Sequence, residues 1–155
     1  MKNKYTAKMC NNKMSFEECE YAILRHAIDE TENIKGKKQV NNEDVQKMLT
    51  IVEDFIVSKK LICYGGTAIN NILPKYAQFY RKDIEIPDYD FFSTNALEDA
   101  KELADIYLKN GFEEIEAKAG IHFGTFKLFV NFIPVADITQ LDPSIFNALY
   151  KEAIV

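Results

Sequence analysis

The chain has 155 residues, of which 47% are hydrophobic and 28% charged, with a formal net charge of −5. That length suits one domain with a sizeable core and leaves no room for a second full one, and the balance is that of a soluble globular protein rather than a disordered one. The acidic total excludes coating of nucleic acid by bulk electrostatics, although a local basic surface stays open.

The basic N-terminus, MKNKYTAKMCNNKM, is followed by no apolar h-region, so it does not read as a signal peptide. No apolar run approaches the roughly 20 residues of a membrane span. An intracellular setting is the expectation. From Ser15 to about Ile34, Ser15 stands three residues before Glu18, a capping-box spacing, and Tyr21, Leu24 and Ile28 fall on one helical face. Gly36 and the surrounding Lys35, Lys37 and Lys38 are expected to break this helix. These lysines, like those of the first fifteen residues, read as solvated faces or tails, with a nucleic-acid role as the alternative. Asn42 opens a second helix through Met48, Leu49, Val52, Phe55 and Ile56.

The period then changes. LICY, at 61–64, is a short apolar run ended by glycine, which fits a buried strand. TAINNIL has helical spacing and stops at Pro74, and the charged segment to Pro87 is a loop. DYDFFS alternates Asp88 and Asp90 with Tyr89 and Phe91 and reads as a strand with one polar face. Asn95 is placed to cap a helix over 96–110, and Gly111 to follow it as the C′ residue. FEEIEAKA, IHFGTFKLFVN and FIPVADITQ read as three strands, and a short helix begins after Pro143. The order predicts an α+β fold, a mixed sheet flanked by helices.

The cysteines Cys10, Cys19 and Cys63 are odd in number and widely spaced, with no Cys-x-x-Cys pair, and are expected to be reduced thiols. His26 and His122 are too few and too far apart for an imidazole-based metal site, so any metal is expected to have oxygen ligands. His122 reads as a packed structural histidine. Tyr64, Tyr89, Phe91 and Phe92 read as core or pocket wall, and Arg81 and Lys82 as a solvated loop with phosphate or RNA contact as the alternative.

The acids carry more chemistry. On a strand, residues two apart share a face, which sets Asp88 and Asp90 about 6 to 7 Å apart at Cα. Carboxylates so close repel one another unless a cation lies between them, and hard oxygens are what magnesium takes. Asp137 stands among Val135, Ala136 and Ile138, where a lone charge is costly to bury without a partner. A solvent-facing edge strand for the first two, and a strand-end cap for the third, are the plain alternatives.

An apolar strand, Gly-Gly opening a helix, an Asp-x-Asp strand and a later strand with a lone Asp resemble the layout of the nucleotidyltransferase superfamily that includes DNA polymerase beta. The segments LICYGGTAINNILP, IPDYDFFSTNALEDAKELADIYLKNGF, AGIHFGTFKLFVN and VADITQLDPSIFNAL are more narrowly similar to the poly(A) polymerase catalytic subunits of large cytoplasmic DNA viruses, of the giant-virus and African swine fever virus kind. The resemblance implies that Asp88, Asp90 and Asp137 bind two magnesium (or manganese) ions and are catalytic. It implies that Gly65 and Gly66, with Thr67 as a weaker candidate, bind the triphosphate of ATP, and that the acceptor is an RNA 3′ end. It also implies residues 1–59 as a tail and two helices packing on a catalytic core at 60–155, and a further domain or subunit. A homodimer is left open, no membrane partner is expected, and the expected location is the host cytoplasm or the virion. Other readings are a nucleotidyltransferase acting on another acceptor, or a noncatalytic nucleotide- or RNA-binding subunit of the same fold.

Overall fold

The fold is that of a computed structural model, which describes residues 9–154. Helix α1 (Phe16–Val40) begins at the capping box: the Glu18 backbone N–H donates to Ser15 Oγ at 3.2 Å, and the Ser15 N–H donates to Glu18 Oε2 at 2.7 Å. The helix runs through Gly36, where the sequence predicts a break. A Cβ at Gly36 would strike the Ile84 carbonyl, so the glycine lets α1 lie directly against the turn at 81–85, and the helical backbone outlasts its low intrinsic propensity. α1 itself contributes no buried residue.

Asn42 caps α2 (Glu43–Lys59), its side chain accepting from the N–H groups of Asp44 and Val45. One face of α2, with Val45, Met48, Val52, Phe55 and Ile56, is buried. Burial of each large side chain contributes about 1.5 to 3 kcal/mol, so α2 packs firmly onto the sheet through this face.

The elements that follow are β1 (Ile62–Tyr64), α3 (Gly65–Ile72), a 3₁₀ turn (Lys75–Ala77), β2 (Tyr89–Ser93), α4 (Ala96–Lys109), β3 (Ile115–Ala119), β4 (Thr125–Val130), β5 (Ile133–Gln140) and α5 (Pro143–Glu152). The five strands lie in the order β1-β2-β5-β4-β3. β2 and β5 are parallel and the other pairs antiparallel, giving the mixed sheet the element order predicts. Tyr89, Phe91, Leu128, Val130, Ala136 and Ile138 pack with α2 and with Ala100, Leu103 and Tyr107 of α4 in one core. The buried Tyr107 hydroxyl donates to the Met48 carbonyl at 2.8 Å and joins the two helices.

Four further local expectations change. Asn95 makes no side-chain cap to α4; the Ala96 N–H instead donates to Gln140 Oε1 at 2.8 Å, a partner 44 residues away that no local pattern reveals. The strand expected over IHFGTFKLFVN starts only at Thr125, because 121–124 form a turn in which the Thr125 N–H returns to the His122 carbonyl. His122 is accordingly exposed and not packed in a strand. Finally, Cys10 and Cys19 form a disulfide with Cα atoms 5.1 Å apart, in place of two reduced thiols. The turn in which the Met14 N–H donates to the Asn11 carbonyl folds the chain back so that Cys10 meets the first turn of α1. Cys63 is free and exposed.

Candidate active site

Alternation along β2 separates two chemistries. Tyr89, Phe91 and Ser93 are buried toward the helices, so Asp90 and Phe92 project from the other face. Asp90 is the register partner of Tyr64 on β1 and of Asp137 on β5, and Asp137 is in turn the partner of Lys127 on β4, itself opposite Lys118 on β3. One residue from each strand thus forms a row across the sheet: Tyr64, Asp90, Asp137, Lys127, Lys118. Neighbouring strands lie about 4.8 Å apart, which brings the two central carboxylates close together.

Asp88 precedes β2 by one residue. Its carbonyl accepts the Thr67 hydroxyl at 2.8 Å, tying the start of the acid strand to the first turn of α3. Lys127 Nζ lies 2.6 Å from Asp137 Oδ2. Asp88 Oδ1 and Asp137 Oδ1 are both buried with no hydrogen-bond partner among the described residues, an arrangement costly for carboxylate oxygens. Burial pushes the Asp88 carboxyl from 3.8 up to about 6, with the charges of Asp137 and Asp90 adding to the rise and Lys127 opposing it. Burial, then Asp137, also raises Asp90. The hydrogen bond to Asp137 holds the Lys127 ammonium above its ordinary range.

The glycine pair lies beside these acids. Gly65 has φ +74°, and a Cβ there would come within 2.6 Å of Asp90 Oδ2. Only glycine tolerates both the left-handed backbone and the approaching carboxylate. Gly66 lies against the Tyr80 hydroxyl, which a Cβ would strike. Asn70, buried in α3, fixes that loop by accepting from the N–H groups of Phe79 and Tyr80 at 2.8 and 3.0 Å. A cavity of about 820 Å³ opens between α2, α3 and this loop, reaching Asp88 and Asp90 past Glu53, Thr67, Asn70 and Tyr80.

The structure therefore gathers Asp88, Asp90, Asp137 and Gly65, sets Gly66 against Tyr80, and commits the Thr67 hydroxyl to the Asp88 backbone. Among the described residues no three His, Cys, Asp or Glu side chains already converge as a closed metal site. Magnesium does not need one: it commonly takes one or two carboxylates and keeps waters and substrate phosphates for the rest. Two unpartnered, buried, hard carboxylate oxygens fit that demand. Lys127 is the residue the sequence reading missed; its signal was a lone charge inside the apolar run TFKLFV, the counterpart of Asp137 inside VADI.

A mixed sheet with a Gly-Gly strand-to-helix turn beside acids on two adjacent parallel strands defines a nucleotidyltransferase-like α+β domain. The chain belongs to the poly(A) polymerase catalytic subunit family, whose profile matches residues 50–154. A protein of African swine fever virus described as a poly(A) polymerase catalytic subunit is 39% identical over 116 residues, covering 75% of this chain and 24% of the relative. One of Acanthamoeba polyphaga mimivirus with the same description is 27% identical over 139 residues, covering 84% of this chain and 24% of the relative. The crystal structure of the Megavirus polyadenylate synthase shares the fold, with a TM-score of 0.72 and 24% identity over 94% of this chain and 30% of that one. The chain thus spans about a quarter of the length of the curated relatives it matches. Among the described residues no helix is long and apolar enough to cross a membrane.

Proposed function

We propose that this chain carries the nucleotidyl-transfer site of a poly(A) polymerase, which moves adenylate from ATP to the 3′ end of RNA. The observation that carries the reading is the register pairing of Asp90 with Asp137, with orphaned carboxylate oxygens beside it. Asp88, Asp90 and Asp137 would hold two divalent cations, magnesium or manganese. When bound, such ions stabilise the attacking and leaving oxygens of an in-line displacement.

The protein's own groups prepare that site. Parallel β2 and β5 hold Asp90 and Asp137 at fixed spacing, and Thr67 fixes the backbone at Asp88. Gly65 and Gly66 open α3, where free N–H groups and the helix dipole favour the anionic triphosphate. Lys127 forms an ion pair with Asp137 from the neighbouring strand. The RNA 3′ hydroxyl is the nucleophile and pyrophosphate the leaving group. All three carboxylates are present, which argues against a noncatalytic subunit.

The domain division follows the same reading, with residues 1–59 as tail and helices packed on a catalytic core at 60–155. A further domain or subunit, in keeping with the greater length of the relatives, would complete the adenine pocket and RNA path. The expected place of action is the host cytoplasm or the virion, as for an mRNA-processing enzyme of a cytoplasmic virus.

The test is magnesium-dependent incorporation of each of the four nucleoside triphosphates into an RNA primer, with the Asp88→Ala, Asp90→Ala double variant alongside. Slow, adenylate-preferring incorporation that the double variant abolishes is the expected result. Equal activity in the double variant rejects the site; preference for another nucleotide rejects the poly(A) reading alone.

A further inference from the structure

Lys127 stands directly across the antiparallel β4/β5 pair from Asp137 and reaches one of its two oxygens. Asp137 Oδ2 has the ammonium at 2.6 Å, while Oδ1 is buried and has no partner among the described residues. The carboxylate is thus divided into a held half and a free half. Its side chain is 16% exposed against 39% for the lysine, so the acid is fixed deep in the face and the lysine reaches down to it. Among the ion pairs of the described residues, this is the one that touches any of Asp88, Asp90 and Asp137.

We propose that Lys127 is a positioning residue for Asp137 and the standing counter-charge of the three-carboxylate set. It holds Oδ2, so that Oδ1 alone is presented beside Asp90, and it offsets the repulsion among the acids until a divalent cation does so. The proposal rests on the reading of Asp88, Asp90 and Asp137 as the cation site. A plain cross-strand ion pair would contribute a few tenths of a kcal/mol to about 1 kcal/mol to the sheet, and its loss would be felt equally with and without a cation. A counter-charge behaves differently. Removing it leaves three acids opposed only by solvent, which weakens the cation-free protein, and removes a competing positive charge, which strengthens divalent binding.

The experiment uses the full 155-residue chain in wild-type, Lys127→Met, Lys127→Arg, Asp137→Asn and Asp137→Asn plus Lys127→Met forms. Thermal unfolding is followed in chelator and in Mn²⁺, and Mn²⁺ affinity is read from the free-ion electron paramagnetic resonance signal. Lys127→Met is expected to melt below wild type in chelator, to gain more from Mn²⁺ than wild type does, and to bind the ion on the order of tenfold more tightly. Lys127→Arg keeps the wild-type pattern, and in the Asp137→Asn background Lys127→Met tightens Mn²⁺ binding by a smaller factor than in the wild-type background, because only Asp88 and Asp90 then lose an opposing charge. An ion-induced shift in Lys127→Met equal to or smaller than that of wild type overturns the proposal, whatever the melting point in chelator. Should Lys127→Met not fold, Lys127→Gln serves the same comparison. The underlying reading fails separately, and takes the proposal with it, if Asp88→Asn plus Asp90→Asn responds to Mn²⁺ as wild type does.

Discussion

Asp90 and Asp137 are register partners on adjacent parallel strands, facing the same side of the sheet, so the fold forces two carboxylates together that would repel each other in isolation. Such crowding is tolerated at a site that binds cations and is otherwise a cost to stability. Asp90→Asn is therefore expected to raise the melting temperature of the chain in chelator and to remove most of the stabilisation that Mg²⁺ or Mn²⁺ gives wild type. Differential scanning calorimetry with and without the ion checks both signs. A variant that melts lower in chelator and keeps its ion response would contradict the assignment.

The Asp88 carboxyl supplies a pH signature. Its folded value of about 6 lies above the ordinary 3.8 because of burial and then the charges of Asp137 and Asp90, with Lys127 acting in the opposite sense. The native state therefore binds this proton more tightly than the unfolded state. The stability Asp88 contributes is fully present below about pH 4 and is lost as pH rises through about 6. In chelator, wild type is expected to lose stability between pH 4.5 and 7 relative to Asp88→Asn, whose difference from wild type then levels off above pH 7. Urea unfolding at several pH values measures that difference and cancels the carboxylates remote from Asp88, while Asp90 and Asp137, coupled to it, contribute to the difference.

The two glycines of the strand-to-helix turn are not equivalent. An alanine at Gly65 is strained at φ +74° and would place Cβ 2.6 Å from Asp90 Oδ2; left-handed backbone alone costs about 1 to 2 kcal/mol. An alanine at Gly66 meets the hydroxyl and the ring edge of Tyr80, an exposed side chain that has room to shift. Gly65→Ala is expected to lower both the melting temperature and Mn²⁺ affinity. Gly66→Ala loosens the loop around Tyr80 and leaves Mn²⁺ affinity near wild type. Reversal of that order would remove Gly65 from the site.

How much of this was legible in the sequence depends on the range of each interaction. The Ser15 capping box, the Asn42 cap and the C′ role of Gly111, at φ +90°, are local and were readable from spacing. The strands carrying Asp90 and Asp137 were readable from alternation and from a charge amid apolar neighbours, and the overall order of elements suggested a mixed sheet. What spacing could not show was register. The pairing of Lys127 with Asp137, the Gln140 cap on α4 and the Cys10 to Cys19 closure each depend on where separate segments come to rest. Gly36 misled for a related reason: its low propensity is local, whereas the approach of Ile84 that requires a glycine is not.

A control separates fold from site. Tyr107→Phe removes the buried hydroxyl that donates to Met48 at 2.8 Å, between α4 and α2 and on the helix side of the sheet. A loss of about 0.5 to 1.5 kcal/mol in unfolding free energy is expected. The response to Mn²⁺ should match wild type, since the hydroxyl lies on the face opposite the acids. A changed ion response in this variant would mean that ion-linked stability reports general loosening of the domain and not the carboxylate row.

The central claim is that Asp88, Asp90 and Asp137 together make the cation and triphosphate site. Its most direct measurement is titration of the chain with Mn²⁺ in the presence of ATP, reading bound ion by electron paramagnetic resonance in wild type and in the Asp88→Asn, Asp90→Asn, Asp137→Asn triple variant. Wild type is expected to bind Mn²⁺ beyond what ATP alone takes up, and the folded triple variant to bind none in excess. Equal excess binding by the two proteins would contradict the account.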